Sequence, residues 1–407
     1  LRNYAIVTAA YWGFTLTDGA LRMLVLLHFF RLGFSPFTLA FLFVLYEAAG
    51  VVANLAGGWL AVRFGITRML SLGLGLQVTA FLFLAALDPG WGLALSVAWA
   101  VAGQGLAGVA KDLTKTASKS AIKLTAGSAG TSALFRWVAW FTGSKNAMKG
   151  AGFFVGGVLL EAVGFRGALL AMAGGLVVVL AGVVLSLPPL MGRAKPSRTA
   201  RELFAKTRGV NLLAAARIAL FGARDVWFVV GLPVFLYGAG WSFAGVGLFL
   251  ALWTIGYGAM QAAAPAVVRR SADGLSREVP AARAWAVALA AIPGLLALSL
   301  GLSLPVAPDI VLTVGLGLFG IGFAVNSSLH SYLILAYAGS EKAAEDVGFY
   351  YAANAAGRLA GTLASGACYA WGGIGACLAA SAVMLAVAAA VTFTLPLSAA
   401  PRPAEAA

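Results

Sequence analysis

Apolar residues run along this chain in stretches of about twenty or more, divided by short segments that hold most of its charge. A helix needs about 20 mostly apolar residues to cross a bilayer core of about 30 Å, so each stretch is long enough to span one. By apolar length and punctuation, spans are expected at 4–30, 37–61, 69–87, 91–110, 134–161, 166–187, 210–237, 243–268, 284–304, 308–337, 347–371 and 373–395. The alternating segments of about ten residues that mark a membrane β-barrel are missing. The first run is expected to stay in the protein. It is too long for a cleaved signal, carries Asp18 and Arg22, and has no small-residue cleavage site before the next span. The fold class expected is an all-α polytopic membrane protein of twelve transmembrane helices.

Composition agrees. Of 407 residues, 61% are hydrophobic and only 10% charged, with 51 glycines, a residue common in membrane helices. The net charge of +14 raises the question of nucleic acid, but its distribution answers it. With twelve spans, the lysines and arginines between spans fall almost entirely on one side, and only Arg31 and Arg166 fall on the other. That asymmetry is the positive-inside signal; it puts both termini in the cytoplasm and needs no nucleic-acid partner. Residues 188–209, with Pro188, Pro189, Pro196 and several basic residues, read as a cytoplasmic linker. The linker separates an N-terminal six-helix bundle (1–187) from a C-terminal one (210–395), and 396–407 form a tail. Laid over each other without a gap, the halves match Asp18 with Asp225, Gly33 with Gly240, Ser35 with Ser242, Tyr46 with Trp253, Asn54 with Gln261 and Arg63 with Arg270. Two parallel six-helix repeats are the architecture of the major facilitator superfamily, whose sites lie between the halves near the midplane. The stretch Gly58-Trp-Leu-Ala-Val-Arg63-Phe-Gly65 resembles that superfamily's gating loop, with Val62 where the pattern has Asp.

Charges inside apolar spans are expensive, about 2.5–3.5 kcal/mol each at a helix centre on insertion scales, and are kept where they find partners or a polar cavity. Lys145 and Lys149 stand at i, i+4 in Thr142-Gly-Ser-Lys-Asn146-Ala-Met-Lys-Gly150, on one helical face. Asp18 and Arg22 have the same spacing; they either neutralise each other, or Arg22 binds an anion that Asp18 releases on protonation. Glu47 has no basic neighbour in its own helix, and either pairs with Arg22 or titrates as a proton carrier. Lys111, Lys115, Lys119 and Lys123 form a four-residue stripe, a lipid anchor or an entry ramp for anions; Lys111 would lie nearest a cavity. Arg217 and Arg224 share a face, with Asp225 turned about 100° away, and suit either oxyanion capture or an inter-helix network. Tyr350, Asn354 and Arg358 line one face, and Asn326 precedes His330 by one turn. His330 is either a packed, hydrogen-bonded imidazole or a proton carrier, and His28 is expected as a solvated end residue. Basic residues outnumber acidic ones within the spans, so the missing counter-charge points to a polyanionic solute. Cys368 and Cys377 lack the spacing of a metal or redox site and read as small apolar residues.

Several runs carry a resemblance. Tyr11-Trp12, Phe14-Thr-Leu-Thr-Asp-Gly-Ala-Leu-Arg22, Lys111-Asp-Leu, Ile122-Lys123, Thr142-Gly-Ser-Lys-Asn146 and Phe221-Gly-Ala-Arg-Asp-Val-Trp-Phe228 together resemble the ArsJ family of bacterial organoarsenical efflux permeases. The resemblance implies a monomeric, multi-pass protein of the bacterial inner membrane with no cofactor. It implies export of 1-arseno-3-phosphoglycerate, the labile ester formed when glyceraldehyde-3-phosphate dehydrogenase takes arsenate in place of phosphate, and hence arsenate resistance. That dehydrogenase is a functional partner, with no stable complex implied. Candidate substrate residues are Arg22, Lys111, Lys145, Asn146, Lys149, Arg217, Arg224, Asn354 and Arg358; candidate proton-coupling residues are Asp18, Glu47, Asp225 and His330. An organophosphate or organic-anion transporter of the same fold fits the cations too. A drug antiporter fits less well, since cationic drugs want acidic pockets. Nothing marks an integral-membrane enzyme: there is no P-loop and no cluster of metal ligands.

Overall fold

The computed structural model describes residues 2–126, 131–189, 191, 207–268, 271, 273–302, 305–338 and 343–397; of these, the side chains of 4, 56–63, 119–120, 122–126, 131–143, 265 and 343–345 lie outside the description. The side chains of Gly58 and Arg63, those of Lys119 and Lys123, and most of the expected linker therefore lie outside it as well. The described elements are helices: α1 (Arg2–Arg31), α2 (Pro36–Phe41), α3 (Val44–Phe64), α4 (Ile66–Ala85), α5 (Leu93–Ala126), α6 (Thr131–Ser186), α7 (Arg208–Phe228), α8 (Gly231–Gly238), α9 (Phe243–Val267), α10 (Glu278–Ser299), α11 (Pro308–Ala338) and α12 (Ala343–Phe393). Ten segments among them are long and apolar enough to cross a membrane. Their outward side chains are apolar: Leu185, Val178 and Leu298 are 86%, 73% and 70% exposed. On a water-soluble protein so much exposed apolar surface would drive association; here it suits lipid.

Two helices are too long for one crossing, and each is folded back on itself. At 1.5 Å per residue, the 56 residues of α6 would reach over twice the bilayer core. Gly164 breaks α6 with φ 71°, a left-handed conformation that glycine adopts without penalty. Before the break α6 ascends α1, with Trp12 bonded to Ser144 and His28 stacked on Phe165. After the break it descends, bringing Val179 back to Gly13. The α12 hairpin turns at Gly372 and Gly373. It climbs α7 from Gly357 beside Ile218 to Ser365 beside Val230, then returns with Ser381 bonded to the carbonyl of Ala223. These hairpins correspond to the expected spans 5–6 and 11–12. Conversely, α5 runs on past Lys111, which the sequence places at a span end, so Lys111 and Lys115 sit within a continuous helix.

The chain divides into two compact units: Leu1–Ser197 with Leu236–Gly258, and Arg198–Phe235 with Ala259–Ala407. In the first, α6 packs on α1 and α9, and α5 packs on α3 and α4. Helix backbones meet directly. A Cβ added at Gly19 would lie 2.5 Å from the Lys149 carbonyl, one at Gly156 2.5 Å from that of Ala20, and one at Gly157 2.5 Å from that of Phe243. The turn between α3 and α4 pivots on Gly65 (φ 82°), and is tied to the end of α6 by Ile66 N–H to Met191 O (2.8 Å) and Thr67 Oγ1 to Pro188 O (2.7 Å).

In the second unit α12 clasps α7, and α10 packs on α11 and α12. Gly361 stands against Gly222 and Asp225, where a Cβ would come within 2.6 Å of a carbonyl oxygen and 2.9 Å of the Asp225 Cβ. Helical hydrogen bonding lapses between α7 and α8, just before Pro233, which has no N–H to give. The N–H groups of Val230 and Gly231 are taken instead by Ser365 Oγ, at 3.2 and 3.1 Å.

Because backbone atoms cannot move aside, Gly361→Leu is expected to lower stability by at least about 1–3 kcal/mol, the usual range for overpacking. Gly175→Leu, where nothing lies within 4 Å of the new Cβ, is expected to be tolerated. Thermal unfolding of both variants in detergent gives the comparison, and equal midpoints would refute the packing argument.

Candidate functional site

In the first unit the charged groups collect around Tyr46 on α3. Its hydroxyl donates to both oxygens of Asp18, at 2.7 and 2.9 Å. The Lys111 ammonium sits 3.7 Å from its ring centroid and donates to its carbonyl oxygen at 3.5 Å. Next in sequence, Glu47 accepts from Arg22 Nη1 at 3.0 Å. Arg22 also faces the rings of Phe43 and Tyr46, at 5.2 and 5.7 Å. Of the alternatives open for Arg22, the structure selects the partner on the neighbouring helix. The i, i+4 pairing of Asp18 with Arg22 gives way because Tyr46 holds Asp18 and Glu47 takes Arg22 Nη1. Both pairs are buried, Asp18 and Glu47 being 4% and 1% exposed. A buried charge without its partner is severely penalised, so these contacts make the polar residues of α1 tolerable inside the membrane.

Asp112, one residue beyond Lys111, faces two cations: Lys111 at 3.9 Å and Lys115 at 3.3 Å. Lys115 reaches across to Asn54 Oδ1 at 2.8 Å. Trp12 Nε1 of α1 donates to Ser144 Oγ of α6 at 3.0 Å, next to Lys145 in the motif that also holds Asn146 and Lys149. Both lysines are half-buried, and Lys149 has its ammonium 6.0 Å from the Phe153 ring. Asn146 is buried with its side chain against Gly258. His28 departs from the expected solvated end residue: its ring stacks on Phe165 at 4.1 Å, nearly parallel.

In the second unit Arg217 and Arg224 both lie over Phe221, at 4.1 and 5.0 Å, which agrees with a shared face. Their partners differ. Arg217 is buried, faces Tyr350 at 4.8 Å and donates to the backbone carbonyl of Ser327 at 3.1 Å. Arg224 bonds Asp225 through Nε (2.6 Å) and also through Nη2, and Arg358 Nε approaches the other oxygen of Asp225 at 3.3 Å. Asp225 lies about 100° round α7 from Arg224, yet the adjacent side chains fold toward each other and meet Arg358 arriving on α12. Asn354, one turn before Arg358, is half-buried. Asn326 and His330 are buried on α11, on either side of Ser327. Sequence reasoning missed Tyr46 as the centre of the first cluster. Its adjacency to Glu47 was the available signal, since neighbouring residues on an interior helix end reach two different partners.

Breaking one partnership tests the arrangement. Glu47→Gln is expected to destabilise by about 3–5 kcal/mol, since Arg22 keeps its charge in a buried site. Replacing both residues, Arg22→Met with Glu47→Leu, is expected to recover most of that loss. Unfolding midpoints in detergent check both, and a double variant no more stable than Glu47→Gln would refute the pairing.

No family model matches the chain, and no curated protein matches it. Solved structures do. A bacterial homologue of the iron transporter ferroportin, in its inward-facing state, aligns with a TM-score of 0.73 at 13% identity, over 97% of this chain and 98% of that one. A POT family transporter in complex with 5-aminolevulinic acid aligns at 0.70 and 14%, over 96% and 95%. A D-xylose-proton symporter aligns at 0.70 and 13%, over 96% of each. At such identity the likeness speaks for the backbone, and it extends over nearly the whole length of each chain. This is an all-helical membrane protein with the fold of the major-facilitator-type transporters.

Proposed function

We propose that this chain is a secondary transporter of the bacterial cytoplasmic membrane that exports 1-arseno-3-phosphoglycerate, so that arsenate entering metabolism through glyceraldehyde-3-phosphate dehydrogenase leaves the cell. The observation that carries the reading is the set of cations on the motif-bearing helices. Lys111, Lys145, Lys149, Arg224 and Arg358 are half-buried rather than sealed. They lie on the runs that resemble the organoarsenical permeases or one turn from their expected partners. The substrate has an oxyanion at each end, arsenate and phosphate, and guanidinium and ammonium groups bind such ends through charge-assisted hydrogen bonds. Lys145 and Lys149 are assigned to one end and Arg224 to the other. Asp18, Glu47 and Asp225 are the carboxylates available for coupling to protons; each is held by a tyrosine or arginine partner that would have to be exchanged for a proton or the substrate. Cysteine thiolates suit soft metals and metalloids, whereas pentavalent arsenic is an oxyanion that they need not bind. The fold's solved relatives include proteins described as carrying xylose with protons or binding 5-aminolevulinic acid, which supports small-molecule transport and leaves the substrate to this chain's own residues.

The test is arsenate tolerance and retained arsenic in an efflux-deficient bacterium expressing the chain, with and without extra dehydrogenase. Tolerance to arsenate but not arsenite, dependent on the dehydrogenase, is the expected result. Tolerance independent of the dehydrogenase would mean arsenate itself is carried. No tolerance at all would move the reading to an organophosphate or another organic anion. Lys145→Ala and Arg224→Ala, inserted at parental levels, are each expected to cut export on the order of tenfold, equivalent to about 1.4 kcal/mol of lost interaction. Unchanged export in both would remove them from the binding site.

A further inference from the structure

Arg217, Asn326 and His330 are among the described residues of the second unit that hold buried polar atoms without a hydrogen-bond partner. Arg217, Asn326 and His330 are 3%, 1% and 1% exposed. Arg217 Nε, both amide atoms of Asn326 and both ring nitrogens of His330 lack a hydrogen-bond partner among the described residues. Buried polar groups are nearly always paired, and an orphan among them calls for a specific explanation. Five such atoms here belong to one locality. Arg217 crosses from α7 to the Ser327 carbonyl on α11, and Ser327 lies between Asn326 and His330, which share a helical face at i, i+4.

We propose that Arg217, Asn326 and His330 form a buried subsite for a small oxyanion that carries a hydroxyl group, distinct from the Arg224–Asp225–Arg358 cluster. The atoms left open define the ligand. The Nε–H of Arg217 is a donor and takes an oxyanion oxygen. An oxyanion alone would leave Asn326 Oδ1 and the acceptor nitrogen of a neutral imidazole without donors. A hydroxyl both gives and receives a hydrogen bond, so an amide can pair with it on both of its atoms. A metal cation is disfavoured by the guanidinium beside it. Arg224 is excluded from this subsite by its own geometry, since its Nε is already given to Asp225 at 2.6 Å. The subsite deepens the transport reading, on which it relies for the way its ligand arrives, by assigning Arg217 to a hydroxylated part of the substrate.

The experiment uses the purified full chain in lipid nanodiscs, titrated calorimetrically with 3-phosphoglycerate, with 3-phosphooxypropanoate (which lacks only the hydroxyl) and with inorganic phosphate. The hydroxylated probe is expected to bind at least about tenfold more tightly than its deoxy counterpart, since a site built to pair a hydroxyl rejects the analogue that lacks it. Asn326→Leu is expected to abolish the difference by weakening the hydroxylated probe toward the affinity of its deoxy counterpart. Asn326→Ser serves as the second variant should the first fail to elute as a single species. Equal binding of the two compounds by the wild-type chain would overturn the subsite and leave resident water as the partner of these atoms. Loss of affinity for both compounds alike in the variants would overturn it too. Arsenate tolerance reads separately: a hydroxyl preference without tolerance keeps the subsite and removes the arsenical, and tolerance without the preference does the reverse.

Discussion

The structure depends on glycine-lined helix contacts. Lipid is as apolar as leucine, so helices in a bilayer gain little from hiding apolar side chains and associate through close backbone packing and interhelical hydrogen bonds. Two small-xxx-small motifs supply the packing here. Gly152-x-x-x-Gly156 on α6 lies against Leu16 and Ala20 of α1, and Gly357-x-x-x-Gly361 on α12 lies against Ile218 and Gly222 of α7. Each brings a backbone directly onto a helix that carries buried charge, α1 with Asp18 and Arg22 and α7 with Arg217 and Asp225. Without that approach Asp225 would not be within reach of Arg358, which follows Gly357 by one residue, and Lys149 would not press its carbonyl on the residue after Asp18.

Packing this tight constrains the electrostatics. Desolvated charges are held only by partners at hydrogen-bond distance, and the close backbones place those partners on neighbouring helices rather than one turn along the same helix. Asp18 is served by Tyr46, Arg22 by Glu47, and Asp225 by an arginine from α12 as well as by its neighbour. Aromatic rings complete the seats of the cations, with Tyr46 under Lys111 and Phe221 under Arg217 and Arg224. A cation over a ring is stabilised without spending its N–H groups on that contact.

Much of this was legible in the sequence, and the reason it stopped where it did is physical. Apolar run length is set by bilayer thickness, so the helical membrane class followed from counting, and the hairpins at Gly164 and Gly372–Gly373 fall at the expected ends of spans. Which residues carry charge into the membrane was also plain, because such residues are costly and rare. Partners were not, since a helical wheel sees i, i+4 neighbours and is blind to the next helix. Hence the choice between Asp18 and Glu47 as the partner of Arg22 stayed open, the contact of Arg224 with Asp225 went unread and His28 seemed solvated. The glycine motifs were present to be read and would have told which helices meet. No sequence pattern shows that Asn326 and His330 flank the carbonyl that Arg217 reaches, because that requires the depth of two helices relative to each other.

The lapse between α7 and α8 has a mechanical meaning. A continuous helix resists bending because every turn is bonded to the next, but here two N–H groups are handed to one serine hydroxyl on α12, and Pro233 contributes none. The apolar segment Arg208–Gly238 is therefore two rods joined at a pin, and the pin belongs to another helix. Bending at that joint would strain the bonds to Ser365 and those of Val229 to Asp225 and Val234 to Val230, fewer than an unbroken helix would oppose to it. Residue 365 thus sets the stiffness of a helix in which it does not lie.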